Sequence, residues 1–171
     1  MKDIYIQDMN KLSVLFQDIR KLIEDGFYDQ AVTDMRKIAH YMAKWLVYDE
    51  GIWDEARVGK AGVIRDEPSL ERCINILRKH RKIDTDTRHM FDIIRTDGNF
   101  GAHDVGTTKS DAESNYKILF SYYIHFMTRF PNADRLSLQP FGNKSRSKKP
   151  ESEDDKLREI FYREVFGDGY N

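Results

Sequence analysis

The chain has 171 residues, 40% of them apolar and 12% aromatic, which suits one domain with a buried core and excludes a collagenous, low-complexity or wholly disordered chain. Charged residues make up 33%, but 28 Lys and Arg stand against 29 Asp and Glu, and a net charge of -1 excludes a nucleic-acid binder working by bulk charge. The single cysteine, Cys73, excludes an internal disulfide and a Cys-rich zinc site, and points to a reducing, cytoplasmic setting. No apolar run approaches the ~18 residues of a membrane helix, and Met1 to Asp8 lack a signal peptide's apolar centre, so a soluble, untargeted chain is expected.

From Asp8 to Ile23 the apolar positions Met9, Leu12, Leu15, Phe16, Ile19, Leu22 and Ile23 recur every three or four residues, the helical period, and Gly26 supplies a stop. Val32, Met35, Ile38, Ala39, Met42 and Leu46 repeat the pattern before Gly51, Gly59 and Gly62. The two stretches read as an antiparallel helical pair. Asp49, Glu50, Asp54 and Glu55 around Trp53 read as an acidic surface turn rather than a metal site. Pro68, in a tolerated first-turn position, opens a third helix with Leu70, Cys73, Ile74 and Leu77 on its apolar stripe and cations at its end. Cys73 reads as a small core residue.

A fourth helix starts at Asp84 or Asp86, buries Met90, Phe91 and Ile94, and is expected to end where Gly98 allows a left-handed cap. The fifth has a capping-box pattern in Ser110 and Glu113, then Tyr116, Leu119, Phe120, Tyr123, Met127 and Phe130, with Pro131 at its end. Windows with strand alternation are few, so the expected fold is an all-α bundle of about five main helices. It occupies residues 1–138; residues 139–155 read as a polar, charged linker, and 156–171 as a short amphipathic helix built on Leu157, Ile160, Phe161 and Val165. That helix either docks on the parent bundle or clips onto a protein partner or a second copy.

The stretch that carries chemistry is Arg95-Thr96-Asp97-Gly98-Asn99-Phe100-Gly101-Ala102-His103-Asp104. Gly98 ends one helix on this reading, and Asn99 caps the next by accepting from the amides of Gly101 or Ala102. Asn99 and His103, four apart, then face the same way, and the small residues between them admit another backbone or a ligand. A helix start favours anions, an arginine grips two oxygens, and a histidine exchanges a proton near neutral pH. Arg95, Asn99 and His103 are therefore candidates for binding and acting on a phosphate. The competing reading is structural, with Gly98 and Asn99 forming a helix-turn-helix joint locked by His103.

An Arg, then Gly-Asn, then small residues and a His between amphipathic helices resembles the HEPN superfamily, the higher eukaryotes and prokaryotes nucleotide-binding domain. It is similar more narrowly to a restriction-enzyme-associated family of unknown function marked by a Gly-Asn-x-x-x-His turn. The resemblance covers roughly Asp18 to Pro131. It implies a helical homodimer in a prokaryotic or phage defence or toxin-related setting, and a metal-independent endoribonuclease without cofactor. Arg95 would hold the scissile phosphate, His103 would activate the ribose 2′-hydroxyl or protonate the leaving oxygen, and Asn99 would orient one of them. Seven residues separate Arg95 from His103, a longer spacing than catalytic members of the superfamily commonly have. Arg36 is followed four residues later by His40 where the subfamily commonly has Glu, which makes Arg36 and His40 supporting candidates.

Between Arg72 and Arg95 seven cations stand against three carboxylates, so Arg78, Lys79, Arg81, Lys82 and Arg88 are candidates for an RNA-facing surface or a solvated helix end. Among the other histidines, His40 and His125 read as hydrogen-bonded core or flank residues and His80 and His89 as solvated. Two functions follow. One is an RNA-directed module with endoribonuclease chemistry; the other is a non-catalytic interaction domain, binding a protein partner or nucleic acid, in which the turn is structural.

Overall fold

A computed structural model describes residues 2–59, 62–101 and 106–129, which fold as α1 (Lys2–Glu24), α2 (Tyr28–Asp49), α3 (Trp53–Arg57), α4 (Leu70–Lys79), α5 (Thr85–Gly101) and α6 (Lys109–Met127). Among these residues the only β pairing is an isolated bridge between Val58 and Ile64, so the fold is the expected all-α bundle. His103, Phe130, Pro131, the expected linker and the expected C-terminal helix lie outside the described residues. No described helix is long and apolar enough to cross a membrane.

The apolar residues of α2 cover somewhat more than half of its circumference, a face wide enough to need partners on several sides. Ala31, Val32, Met35, Ile38, Ala39, Met42, Ala43, Trp45, Leu46 and Val47 are all buried, and α2 packs against each of the other five helices. Leu12, Phe16, Ile19 and Ile23 of α1 complete one side of the core. Phe16 meets Tyr116, Phe120 and Tyr123 of α6 at ring-centroid distances of 5.8, 5.4 and 4.7 Å. Cys73 is fully buried on α4, and burial pushes its thiol up to about 12, as suits a core residue rather than a nucleophile.

Three of the helices, α1, α2 and α4, end by one recurring device. After α1, Gly26 stands at φ +84, its amide bonding Ile23 O and the Phe27 amide bonding Leu22 O. Gly51 repeats this after α2, and Arg81 repeats it after α4 with φ 54. These are Schellman turns, which satisfy the last carbonyls of a helix by placing one residue in the left-handed region.

Four sequence expectations need correction. Gly98 does not end a helix and Asn99 does not cap the next, because α5 runs through both to Gly101. The reason lies in packing: a β-carbon at Gly98 would sit 2.5 Å from Arg36 Cβ, and one at Gly101 would sit 2.4 Å from Val32 Cγ2. These glycines let α2 and α5 touch, and the burial so gained outweighs their poor helix propensity. The capping box of α6 is Thr108 with Asp111, two residues earlier than the Ser110 and Glu113 pattern; Thr108 accepts from the Asp111 amide and Asp111 accepts from the Thr108 amide. Pro68 precedes the true cap of α4, Ser69. The acidic turn around Trp53 forms the short helix α3, which buries Ala56.

Candidate functional site

Arg88, Asp92, Arg95 and Asn99 stand at helical spacings on α5 and form one stripe along it. Asp92 joins its first two arginines, with Oδ2 3.5 Å from Arg88 Nε and Oδ1 3.7 Å from Arg95 Nε. The second distance is too long for a hydrogen bond. The Nε of Arg95 is buried without a hydrogen-bond partner, and so is the Nε of Arg36 on α2. Arg36 reaches this region across Gly98, where a β-carbon would lie 2.9 Å from its Cδ. Arg36 of α2 thus lies over the stretch of α5 that bears Arg95, and each has an Nε withheld from water without a hydrogen-bond partner.

Gly101, the last residue of α5, and Thr107 both meet α2. Gly101 is buried against α2, where a β-carbon would stand 2.7 Å from Asp29 O. On the far side, the Thr107 amide donates to Asp29 Oδ1 at 2.8 Å. Hydrogen bonds from Thr107 hold the Asp29 carboxyl below the usual carboxylate range. Asp29 itself is steadied by Thr33, whose hydroxyl donates to its carbonyl at 2.8 Å. Asp97 of α5 is tied to α6, where buried Asn115 donates to Asp97 Oδ2 at 2.7 Å. Gly101 and Thr107 are thus each anchored to α2 and Asp97 to α6, while His103 lies outside the described residues.

His40 stands one turn beyond Arg36 on α2, and its Nε2 lies 2.8 Å from Pro68 O. A carbonyl only accepts, so Nε2 carries the proton in this bond. Burial pushes the pKa of His40 down, with lesser contributions from the charges of Lys44 and Arg36. His40 therefore ties α2 to the turn before α4, in keeping with a hydrogen-bonded flank. His125 is exposed in the last turn of α6, and His89 is exposed on α5.

The expected basic surface is split. Lys79 Nζ lies 2.6 Å from Glu55 Oε1, His80 Nε2 lies 2.6 Å from Glu55 Oε2, and Lys82 Nζ lies 2.7 Å from Glu50 Oε2. The acids around α3 thus partner this end of α4, and His80 is paired rather than merely solvated. Arg78 and Arg81 are exposed. By helical rise the Glu50 end of α2 is on the order of 20 Å from Arg36, so these cations lie away from the Arg95 turn. Arg88 differs, since it shares the α5 stripe with Arg95.

Sequence reading gave Asp29 and Asp92 no role. Asp92 had a signal in its spacing of four and three residues from Arg88 and Arg95. Asp29 had none, because an acidic residue in a first helical turn is ordinary and its partner Thr107 is 78 residues away.

In comparison with known proteins, the family described as "Domain of unknown function (DUF4145)" matches residues 17–122. No curated protein and no solved structure matches the chain.

Proposed function

The chain belongs to the DUF4145 family, whose function is unknown, and from its own residues we propose that it is an RNA-directed helical module acting as a metal-independent endoribonuclease through Arg95, Asn99 and His103. The observation that carries this reading is the buried, unpartnered Nε of Arg95 at the head of a segment secured to α2 by Gly101 and Asp29. A half-buried guanidinium with an unused Nε donor is suited to a phosphate, which accepts charge-assisted bonds from its planar fork. The resemblance of Arg95 to Asp104 to the HEPN motif supports assigning RNA as substrate, a homodimer as the working form and a defence or toxin-related setting.

In the proposed reaction the ribose 2′-oxygen attacks the adjacent phosphorus and the bond to the 5′-oxygen breaks, leaving a 2′,3′-cyclic phosphate. Arg95 stabilises the charge that builds on the phosphoryl oxygens. His103 takes the 2′-hydroxyl proton or returns one to the leaving oxygen, and Asn99 orients one of these groups. Arg95→Ala is expected to abolish cleavage, weaken RNA binding and make its salt dependence shallower by about one unit of slope. Cleavage and fluorescence anisotropy across a salt series measure this, and wild-type cleavage by the variant overturns the assignment.

One observation favours a second reading. The close approach of α2 explains Gly98 and Gly101 without any ligand. On that reading the chain is a non-catalytic interaction domain binding a protein partner or nucleic acid. Association that is insensitive to salt, with no RNA cleaved, would select it.

A further inference from the structure

We infer that Arg36 is a second phosphate-binding residue of this site, so that one phosphoryl group is gripped between guanidinium groups from α2 and α5. The inference rests on the reading above for the identity of the site and adds a residue from another helix.

The side chain of Arg36 lies directly over Gly98, where an added β-carbon would come within 2.5 Å of its Cβ and 2.9 Å of its Cδ. Any larger residue at position 98 would displace it. This approach brings Arg36 beside the turn of α5 that bears Arg95, three residues before Gly98. The Nε of each arginine is buried without a hydrogen-bond partner, an arrangement whose desolvation cost is removed when an anion arrives. Asp92 stands 3.7 Å from Arg95 Nε and is shared with Arg88, so one carboxylate faces two guanidinium groups and a net positive charge remains. His40, one turn from Arg36, is committed to Pro68 O through Nε2 and is not counted among the groups that grip the anion. The chemistry selected is a phosphoryl group, supplied either by an RNA phosphodiester or by the phosphate monoester of a nucleotide.

The test is to follow the arginine Nε–Hε resonances of the full chain by NMR during titration with inorganic phosphate, at ionic strength held constant with chloride. Arg36 and Arg95 are expected to shift together and saturably with one midpoint, and Arg36→Lys to weaken the midpoint tenfold or more. A silent Arg36, or the same shifts in a chloride titration, overturns the inference. Should Arg36→Lys fail to fold, the wild-type titration decides alone because it reads Arg36 directly. Repeating it with a 5′-hydroxyl RNA pentamer and with adenosine 5′-monophosphate separates the sources: tighter pentamer binding assigns the diester, tighter monophosphate binding the monoester. If Arg36 responds but no RNA is cleaved, the inference stands and the endoribonuclease reading falls. If Arg36 is silent while RNA is cleaved, the reading stands and the inference falls.

Discussion

At Gly101 an added methyl group would meet the Asp29 carbonyl oxygen at 2.7 Å as well as Val32 Cγ2 at 2.4 Å. Replacing a helical glycine by alanine returns about 1 kcal/mol of helix propensity, but overpacking a filled contact costs about 1–3 kcal/mol, and a backbone oxygen yields less than a side chain does. Gly101→Ala is therefore expected to lower stability in urea unfolding, and an unchanged or raised midpoint would contradict the close packing of α2 and α5. Arg81 presents the reverse case, since it holds at φ 54 a turn position where glycine is free of strain. Arg81→Gly is expected to stabilise the fold by about 1 kcal/mol; a concurrent loss of RNA affinity would assign this exposed cation to the RNA surface. At His40, whose folded pKa is depressed mainly by burial, the unfolded chain takes up a proton more readily than the folded one. Its contribution is thus complete above the ordinary histidine pKa of about 6.5 and is lost as pH falls from there through the lower folded value. Thermal midpoints measured across that window are expected to fall in the wild type and to fall less in His40→Gln.

At the scale of elements, the segment between α5 and α6 depends on one carboxylate. Asp29→Ala removes the acceptor of the Thr107 amide, and that amide is expected to lose its protection in hydrogen exchange while the helices keep theirs. Cleavage should fall as well, because Thr107 then loses its tie to α2. An amide still protected in the variant would show that something else holds the loop. The helices themselves were largely legible: apolar spacing located the main ones, and Gly26 marked a true stop. Where the reading failed, the deciding contact was distant in sequence. Gly98 has the local signature of a helix end, and only the side chain of Arg36, 62 positions away, shows why a glycine is needed inside a helix. Thr108 and Asp111 against Ser110 and Glu113 is a different failure, since two overlapping patterns each fit a capping box and local geometry chose the earlier.

For the molecule as a whole, α2 is both the centre of the core and one wall of the candidate site, so the residues that hold Arg36 in place are the ones that hold the bundle together. Arg95 and Asn99 lie on one stripe of α5, and Asn99 stands inside that helix instead of capping a new one. The basic run between Arg78 and Lys82 looked continuous with the turn because sequence shows charge without its partners. Glu50 and Glu55 take up Lys79, His80 and Lys82, and only Arg88 of the expected surface lies along the line leading to Arg95. On the proposed function, this arrangement cleaves RNA through His103 without a metal. The most direct test is incubation of wild type and His103→Ala with total cellular RNA in excess EDTA, reading fragment lengths and end chemistry. Discrete fragments with 2′,3′-cyclic phosphate ends from the wild type alone are the predicted result, while intact RNA in both, or equal cleavage by the variant, would contradict it.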